Sequence, residues 1–341
     1  MKPLRIIVLA ASLVLIALCG IAGQIAPATH VANAKATPAA SWPWSPNGGD
    51  PGPFALPAQT ISAPAKNPLA RWTYDWPLKP FGRPHPVRGY LDDPRITTDL
   101  TSRTFHFGID ISASPGTAVF AIEAGTAGVH CSTVYVHSGM RTFEYWHIVP
   151  VVRTAQRVRR HTLLGRTRAN FNHVHLSEQL SGRYVNPLRA GGIGPCADST
   201  TPMVTKLTIR VHGHRIDPVL VRDTVNLVAD AADIASDVTP TPWPVTPALL
   251  RWRVLKGGNV VVRWRVACDF QRAVLRPTEF ATVYADGTRM NHPGRPGYYC
   301  FYLAHNWRSA SLANGSYRLE VAASDMRGNL GLSVFPITVA N

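Results

Sequence analysis

The chain has 341 residues, of which 45% are hydrophobic and 16% are charged, and its formal net charge is +15. This length suits about two domains, and the composition excludes a chain that is too polar to bury a core. The positive charge predicts attraction to polyanions, and the compartment decides which of them the protein meets.

Residues 1–34 have the form of an export signal. Lys2 and Arg5 precede an almost unbroken apolar run over residues 6–22, which is typical of a secretory signal peptide. Small-x-small sequences that suit cleavage follow at 26–28 and 32–34, and the second is favoured because proline suits a scissile bond poorly.

Two alternatives to cleavage stay open for this segment. The apolar run could be retained as a membrane anchor, although it lies at the short edge of the ~17–25 residues that span a bilayer. A lipid could be attached to Cys19, although the preceding residues fit a lipidation signal poorly. In each case the folded part lies outside the cytoplasm. We therefore expect an exported protein, secreted or associated with the cell envelope, that does not meet nucleic acid.

A proline-rich linker is predicted over residues 35–70. It contains eight prolines, with Gly48 and Gly49 between them. Apolar residues recur there at no regular period, so a semi-extended linker is the natural interpretation.

Short strands broken by turns dominate residues 71–200. Residues 118–122, 133–137 and 142–148 are extended runs, and glycine turns follow the first two. This pattern predicts a compact all-β domain with a small antiparallel sheet.

The β pattern continues over residues 201–341. Residues 250–254 and 260–266 flank Gly257 and Gly258 as a hairpin would, and residues 317–321 and 330–339 add two further strands. Strands at such intervals predict a C-terminal immunoglobulin-like β-sandwich.

Four cysteines lie beyond the export signal, and an even number in an exported chain predicts disulfides. Their order along the chain favours Cys131–Cys196 and Cys268–Cys300, one in each domain. None of them belongs to a CxxC pair, which argues against a cysteine zinc site.

Three motifs in the first domain contain histidine, and the first of them also contains aspartate. They occupy residues 105–111, 145–148 and 172–176, and they contain four histidines and one aspartate: His106, Asp110, His147, His173 and His175. Zinc prefers such side chains where thiolates are absent. His212 and His214 form a second His-x-His, but a central glycine and the lack of an acidic motif predict a hairpin tip at the surface.

Strand geometry shows how these residues could meet. His173 and His175 would share one face of a strand, about 6.5–7 Å apart. His106 and Asp110 would be about 13 Å apart on a straight strand, too far to share one zinc ion. A bend is therefore required between them, and Gly108 permits one.

The motifs His-x-Gly-x-Asp, Tyr-x-His and His-x-His resemble those of the lysostaphin/LytM-type zinc endopeptidases of peptidoglycan. The resemblance spans about residues 86–188 and includes the 116–121 strand, Gly125 and Asn186-Pro187. It implies an antiparallel β-sheet groove that holds one Zn²⁺ through His106, Asp110 and His175. His147 and His173 correspond to the unliganded catalytic histidines, one of which would take a proton from water while the other stabilises the oxyanion.

The sequence departs from the family pattern around the motifs. Leu176-Ser177-Glu178 replaces the usual Phe-Glu after His-x-His, and an arginine-rich stretch over residues 153–168 replaces a glycine-rich turn. These changes concern the groove and leave the five site residues in place. The arginines predict either a solvated surface or attraction to stem-peptide carboxylates and anionic wall polymers.

The resemblance predicts an exported enzyme that cleaves peptidoglycan stems or cross-bridges. One rival interpretation is a non-catalytic relative that binds wall peptide or activates another hydrolase. Another is an adhesion protein whose main work lies in the C-terminal domain. We further expect a fragment of about residues 70–200 to bind zinc and cleave a small muropeptide by itself.

Overall fold

The computed structural model describes residues 72–96, 102–216, 220–234, 243–292 and 295–341. The predicted export signal, its alternatives and the whole predicted linker lie outside these residues. All the described residues belong to one compact unit. Within them, no helix is long and apolar enough to cross a lipid bilayer.

Short strands make up the part of the chain before residue 200. Their bounds are β1 (Val87–Gly89), β2 (Pro94–Ile96), β3 (Arg103–Phe105), β4 (Ile109–Ser112), β5 (Ala118–Phe120), β6 (Gly125–His130), β7 (Thr133–Ser138), β8 (Arg141–Trp146), β9 (Ile148–Pro150), β10 (Arg157–Val158), β11 (Leu163–Thr167), β12 (His173–Leu180) and β13 (Arg183–Val185).

The main sheet of this part is antiparallel and has eight strands. Its order is β1-β4-β12-β8-β7-β6-β10, and β13 also pairs with β12. Tight turns connect β6, β7 and β8, and Cys131 and Gly139 adopt positive φ angles of 52° and 60° at these turns. A second sheet has the order β5-β11-β9, and β2 pairs with β3.

Buried apolar residues alternate along the strands and form the core of this part. Val134 and Val136 of β7 and Val174 and Leu176 of β12 are fully buried in one cluster. Alternate residues of a strand point to opposite faces. The histidines of β12 therefore lie on the face away from this cluster.

The strands after residue 200 are longer. Their bounds are β14 (Met203–Val211), β15 (His214–Ile216), β16 (Thr224–Ile234), β17 (Pro244–Val245), β18 (Leu249–Lys256), β19 (Asn259–Asp269), β20 (Cys300–Arg308), β21 (Gly315–Ser324) and β22 (Leu330–Val339). Short helical turns lie at Pro277–Glu279, α1 (Phe280–Val283) and Ser309–Ser311.

Two antiparallel sheets form this second part. One has the order β15-β14-β16-β17, with β20 also on β16, and the other has the order β19-β18-β21-β22. The predicted hairpin is confirmed, because β18 pairs with β19 across Gly257 and Gly258, whose φ angles are 54° and 89°. The all-β fold class is thus confirmed, whereas the immunoglobulin-like arrangement and the domain boundary near residue 200 stay predictions.

The predicted disulfides are absent from the structure, which corrects that expectation. Cys131, Cys196, Cys268 and Cys300 are not joined in disulfides. Cys131 is exposed at a turn, whereas the Cys196 thiol donates to the Ile193 carbonyl. Cys268 and Cys300 belong to β19 and β20, which lie in different sheets.

Candidate metal centre

The central strand β12 places two histidines over the middle of the main sheet. It pairs with β4 on one side and with β8 on the other. His175 lies opposite Asp110 of β4 and opposite Trp146 of β8. This register brings the last motif beside the first, as the resemblance implies.

The chain bends between His106 and Asp110, because β3 ends at Phe105 and β4 begins at Ile109. Gly108 lies in this bend, against β12. A Cβ atom at Gly108 would lie 2.4 Å from the Leu176 carbonyl oxygen and 2.9 Å from His175 Nε2. Glycine is therefore required by close packing, since no side chain fits there.

Three ligand-type atoms converge at the bend. His106 Nε2 lies 2.7 Å from His175 Nδ1 and 3.2 Å from Asp110 Oδ1. His175 Nδ1 lies 3.1 Å from the same oxygen. His106 and His175 are only 2% and 4% exposed. The atoms thus form a buried cluster that could hold one metal ion.

The outer ring nitrogens of both histidines have partners. His106 Nδ1 donates to the Tyr90 carbonyl over 2.7 Å, because a carbonyl can only accept. His175 Nε2 lies 2.7 Å from Ser177 Oγ. In a neutral His106 ring the lone pair is therefore on Nε2 and points into the cluster, as a metal ligand requires.

Arg95 restrains the carboxylate from the other side. Its Nη2 donates to Asp110 Oδ2 over 2.7 Å, so the second oxygen is left to face the histidines. Burial acts to raise the pKa of Asp110, but the neighbouring His106 and Arg95 hold that pKa well below its usual range. The carboxylate is therefore ionised at neutral pH.

All four histidines of the motifs are neutral at pH 7. Burial is the main cause in each case, and it lowers the pKa of His106 and His173. It lowers the pKa of His175 to about 4 and that of His147 to about 3, where neighbouring histidines add to the effect. Neutral imidazoles can serve as metal ligands or accept protons.

His147 and His173 lie at the rim of the cluster. Both side chains are partly exposed, and their ring centroids are 4.9 Å apart. His173 Nε2 is 3.7 Å from Asp110 Oδ1. The His147 ring stacks on Phe171 at 4.0 Å, and its backbone φ is 65°. Such a conformation is uncommon outside glycine and occurs often at functional sites.

The structure adds residues that sequence reasoning missed. Arg95 is 15 positions before Asp110, and no local pattern marks it. Ser177 is two positions beyond His175 on one strand, so strand periodicity could have found it. Phe107 packs its ring 4.7 Å from the His175 ring and 4.9 Å from the Tyr184 ring, and it forms an aromatic wall beside the cluster.

Two other sequence candidates lie away from the cluster. Tyr145 is fully buried, and its hydroxyl accepts a hydrogen bond from the Ile122 amide, so its role is packing. His212 and Gly213 adopt positive φ angles of 47° and 83° in the exposed turn between β14 and β15. The second His-x-His is thus the hairpin tip that its glycine predicted.

Comparison with known proteins places this site in context. No protein-family model and no curated protein matches the chain. A zinc containing peptidase from Vibrio cholerae is 18% identical with a TM-score of 0.29, over 34% of this chain and 39% of that one. Csd3 of Helicobacter pylori is 19% identical with a TM-score of 0.29, over 35% of each chain. Lysostaphin is 13% identical with a TM-score of 0.23, over 61% of this chain and 84% of that one.

The chain therefore spans less than half of the first two structures that it matches. Others are described as M23 peptidases, among them a protein from Pseudomonas aeruginosa. These descriptions name peptidases of the class that the motifs resemble. The chain resembles the lysostaphin/LytM-type, or M23, metallopeptidases.

Proposed function

We propose that the protein is an exported zinc-dependent endopeptidase that hydrolyses peptide bonds of bacterial peptidoglycan. In this proposal His106, Asp110 and His175 hold one Zn²⁺, and His147 and His173 handle protons. The observation that carries it is the convergence of three ligand-type atoms within 2.7–3.2 Å of one another.

The cluster fits zinc in its chemistry. Two neutral imidazoles and one carboxylate are the donor set of several catalytic zinc sites, which keep a further position open. A bound zinc ion supplies a Lewis acid that activates water and polarises a carbonyl. Without a cation, the inward-facing lone pair of His106 and the carboxylate of Asp110 would repel each other inside the protein.

The chain's own residues complete the chemistry. Tyr90 and Arg95 fix the orientation of His106 and Asp110. His147 and His173, being neutral and partly exposed, can reach a substrate at the rim of the cluster. One of them accepts the proton of the attacking water, and the other donates to the developing oxyanion.

The positive charge of exposed arginines supports a cell-wall substrate. The arginines at positions 153, 157, 159, 160 and 166 are exposed. They suit the carboxylates of stem peptides and anionic wall polymers, which an exported protein would meet. The resemblance to lysostaphin/LytM-type peptidases points to the same substrate class.

A non-catalytic wall-binding role is the second candidate, in which the protein activates another hydrolase or serves adhesion. The exposed arginines favour binding by themselves. The enzyme is preferred because all five site residues are present and meet in one place, whereas binding alone does not require the pair at the rim.

Incubation of the purified full chain with defined muropeptides tests the proposal. We expect new peptide termini in mass spectra with zinc, none after chelation, and recovery when zinc is restored. The His147→Ala variant is the matched control, because it leaves the three ligand-type residues in place. A zinc-loaded protein that binds muropeptides but never cleaves them would favour the binding role.

A further inference from the structure

A second group of acidic residues lies outside the candidate zinc centre. Asp198, Asp233 and Asp325 each offer one carboxylate oxygen within 4.8 Å of the other two. Asp233 and Asp325 are only 1% and 2% exposed, and Asp198 is half-buried. Buried carboxylates at such separations repel one another unless something positive lies between them.

Within the described part of the chain, the three carboxylates have no basic partner. Among the described residues, no arginine, lysine or histidine forms an ion pair with Asp198, Asp233 or Asp325. Burial raises the pKa of all three, and the other two carboxylates raise that of Asp233 further. Among the described residues, this buried group of carboxylates therefore lies without a basic side chain to balance the charge that it carries when ionised.

One oxygen of this group is unsatisfied. Asp233 Oδ1 accepts from the Ile234 amide over 2.8 Å, whereas Asp233 Oδ2 is buried and has no hydrogen-bond partner in the described structure. A bound cation would satisfy the oxygen and cancel the repulsion together.

The other two carboxylates are held in place by short loops. Asp198 Oδ1 accepts from the amide and the hydroxyl of Thr200, over 3.1 and 2.7 Å. Asp325 Oδ1 accepts from the amides of Arg327 and Asn329, over 2.7 and 2.9 Å. The Asn329 side chain donates to Asp325 Oδ2 and also to the Asp198 carbonyl. The oxygens are therefore preorganised.

We propose that Asp198, Asp233 and Asp325 form a binding site for one calcium ion. The donors are all oxygen atoms, which hard cations prefer. The 4.8 Å limit on their separations lies within the span of a calcium coordination shell, about twice its bond length of 2.3–2.6 Å. Magnesium bonds are shorter, at about 2.0–2.1 Å, and magnesium gives up its water ligands reluctantly.

The site joins distant segments of the chain. Asp198 follows the strands of the first part, Asp233 lies near the end of β16, and Asp325 begins the turn after β21. The Tyr90 hydroxyl approaches Asp198 at 3.4 Å, while the Tyr90 carbonyl accepts from His106. Calcium would thus stabilise the seam that supports the candidate zinc centre, without belonging to that centre.

Calcium titration of the full chain, freed of divalent ions and reloaded with zinc, tests the site. We expect one calcium per chain by calorimetry, with Kd between about 10⁻⁶ and 10⁻³ M, and a rise in Tm of several degrees. Asp233→Asn and Asp325→Asn should abolish both effects. Asp286→Asn, at an aspartate that is 82% exposed, should leave both unchanged. Magnesium at the same concentration should give a smaller rise in Tm.

Terbium luminescence provides a readout on the unaltered protein. Tyr90 lies beside Asp198 and should sensitise bound Tb³⁺, and calcium should displace the signal. Asp198→Asn, at the half-buried member, should weaken binding if the deeper variants fail to fold. His175→Ala should keep calcium binding whether or not the zinc proposal holds. Absence of heat, Tm rise and displaceable luminescence in the wild type, or an equal response in Asp233→Asn, would overturn the calcium site.

Discussion

The proposed zinc ligands differ from the rim histidines in burial and in partners. His106 and His175 are buried, and each has its outer nitrogen engaged, by Tyr90 and Ser177 respectively. His147 and His173 are partly exposed and pack against Phe171 and each other. These environments suit binding for the first pair and proton transfer for the second.

Loss of a ligand should remove the metal. We expect His106→Ala and His175→Ala to lose nearly all bound zinc, because two remaining donors hold zinc far more weakly than three. Metal analysis of the purified variants measures this. The control is His214→Ala, which alters the exposed His-x-His of the hairpin tip. Full zinc occupancy in both ligand variants would refute the assignment.

Loss of a rim histidine should affect turnover alone. We expect His147→Ala and His173→Ala to keep one zinc per chain and to cleave muropeptides ~10²-fold more slowly or worse, since proton transfer and oxyanion stabilisation contribute that much. Zinc content and turnover are measured on the same samples. Near-normal rates in both variants would mean that the catalytic roles lie elsewhere.

At the scale of strands and turns, the geometry of the candidate metal centre depends mainly on the contact between Gly108 and β12. The expected bend between His106 and Asp110 appears, and the register of β4 on β12 sets Asp110 opposite His175. A one-residue slip of this register would turn the histidines of β12 to the other face of the sheet.

Gly108→Ala should disturb this arrangement. The added methyl group would lie 2.4 Å from a backbone oxygen, so β12 or the bend must move. Overpacking of this kind costs about 1–3 kcal/mol, and we expect zinc affinity to fall with stability. Denaturation and zinc titration measure both. Gly82→Ala is the control, since nothing lies within 4 Å of its added Cβ; equal behaviour of the two variants would contradict this account.

Local pattern explains which elements the sequence could predict. Alternation around Val134 and the paired glycines 257 and 258 are local signals, and the predicted strands and hairpin appear there. The motifs likewise anticipated the meeting of His106, Asp110 and His175. The contact of Arg95 with Asp110 and the placement of Cys268 and Cys300 in different sheets depend on long-range topology, which no local pattern contains.

At the scale of the whole molecule, contacts join residues before and after position 200. The Tyr284 hydroxyl donates to the Asp92 carbonyl over 2.6 Å, and the Thr246 hydroxyl donates to Asp93 Oδ1 over 2.8 Å. Phe105 packs 5.4 Å from Phe280, and fully buried Val245 belongs to the core cluster of the first part. The two parts therefore share buried surface next to His106.

The buried Asp92 at this seam should make stability depend on pH. Burial is the main cause that raises its pKa to about 8. Between pH 4 and 8 the unfolded chain releases this proton while the folded chain keeps it, so stability falls as pH rises. The Asp92→Asn variant cannot titrate at this position, so its stability should not fall with pH for this reason. We expect the variant to gain at least about 1 kcal/mol over the wild type between pH 5 and 8, measured by denaturation. The exposed Asp286→Asn should show no such trend, and a constant difference for Asp92→Asn would contradict the assignment.

The same seam bears on whether residues 70–200 can function alone. A fragment that ends there loses Tyr284, Thr246 and Phe280, and with them the contacts that these residues make with Asp92, Asp93 and Phe105. Asp93 is 1% exposed in the full chain, and it also accepts from the Tyr90 amide over 2.9 Å. Loss of these contacts should loosen the Tyr90 carbonyl, which orients His106.

We therefore expect the fragment to unfold at lower denaturant than the full chain and to bind zinc more weakly, by at least tenfold. This departs from the autonomy that the sequence suggested, because the β pattern alone did not show the shared core. Thermal denaturation, zinc titration and cleavage of a small muropeptide should be compared for both proteins. A matched control is the full chain with Phe280→Ala, which removes one aromatic contact at the seam and should fall between them. A fragment as stable, zinc-loaded and active as the full chain would show that residues 201–341 serve only binding or spacing.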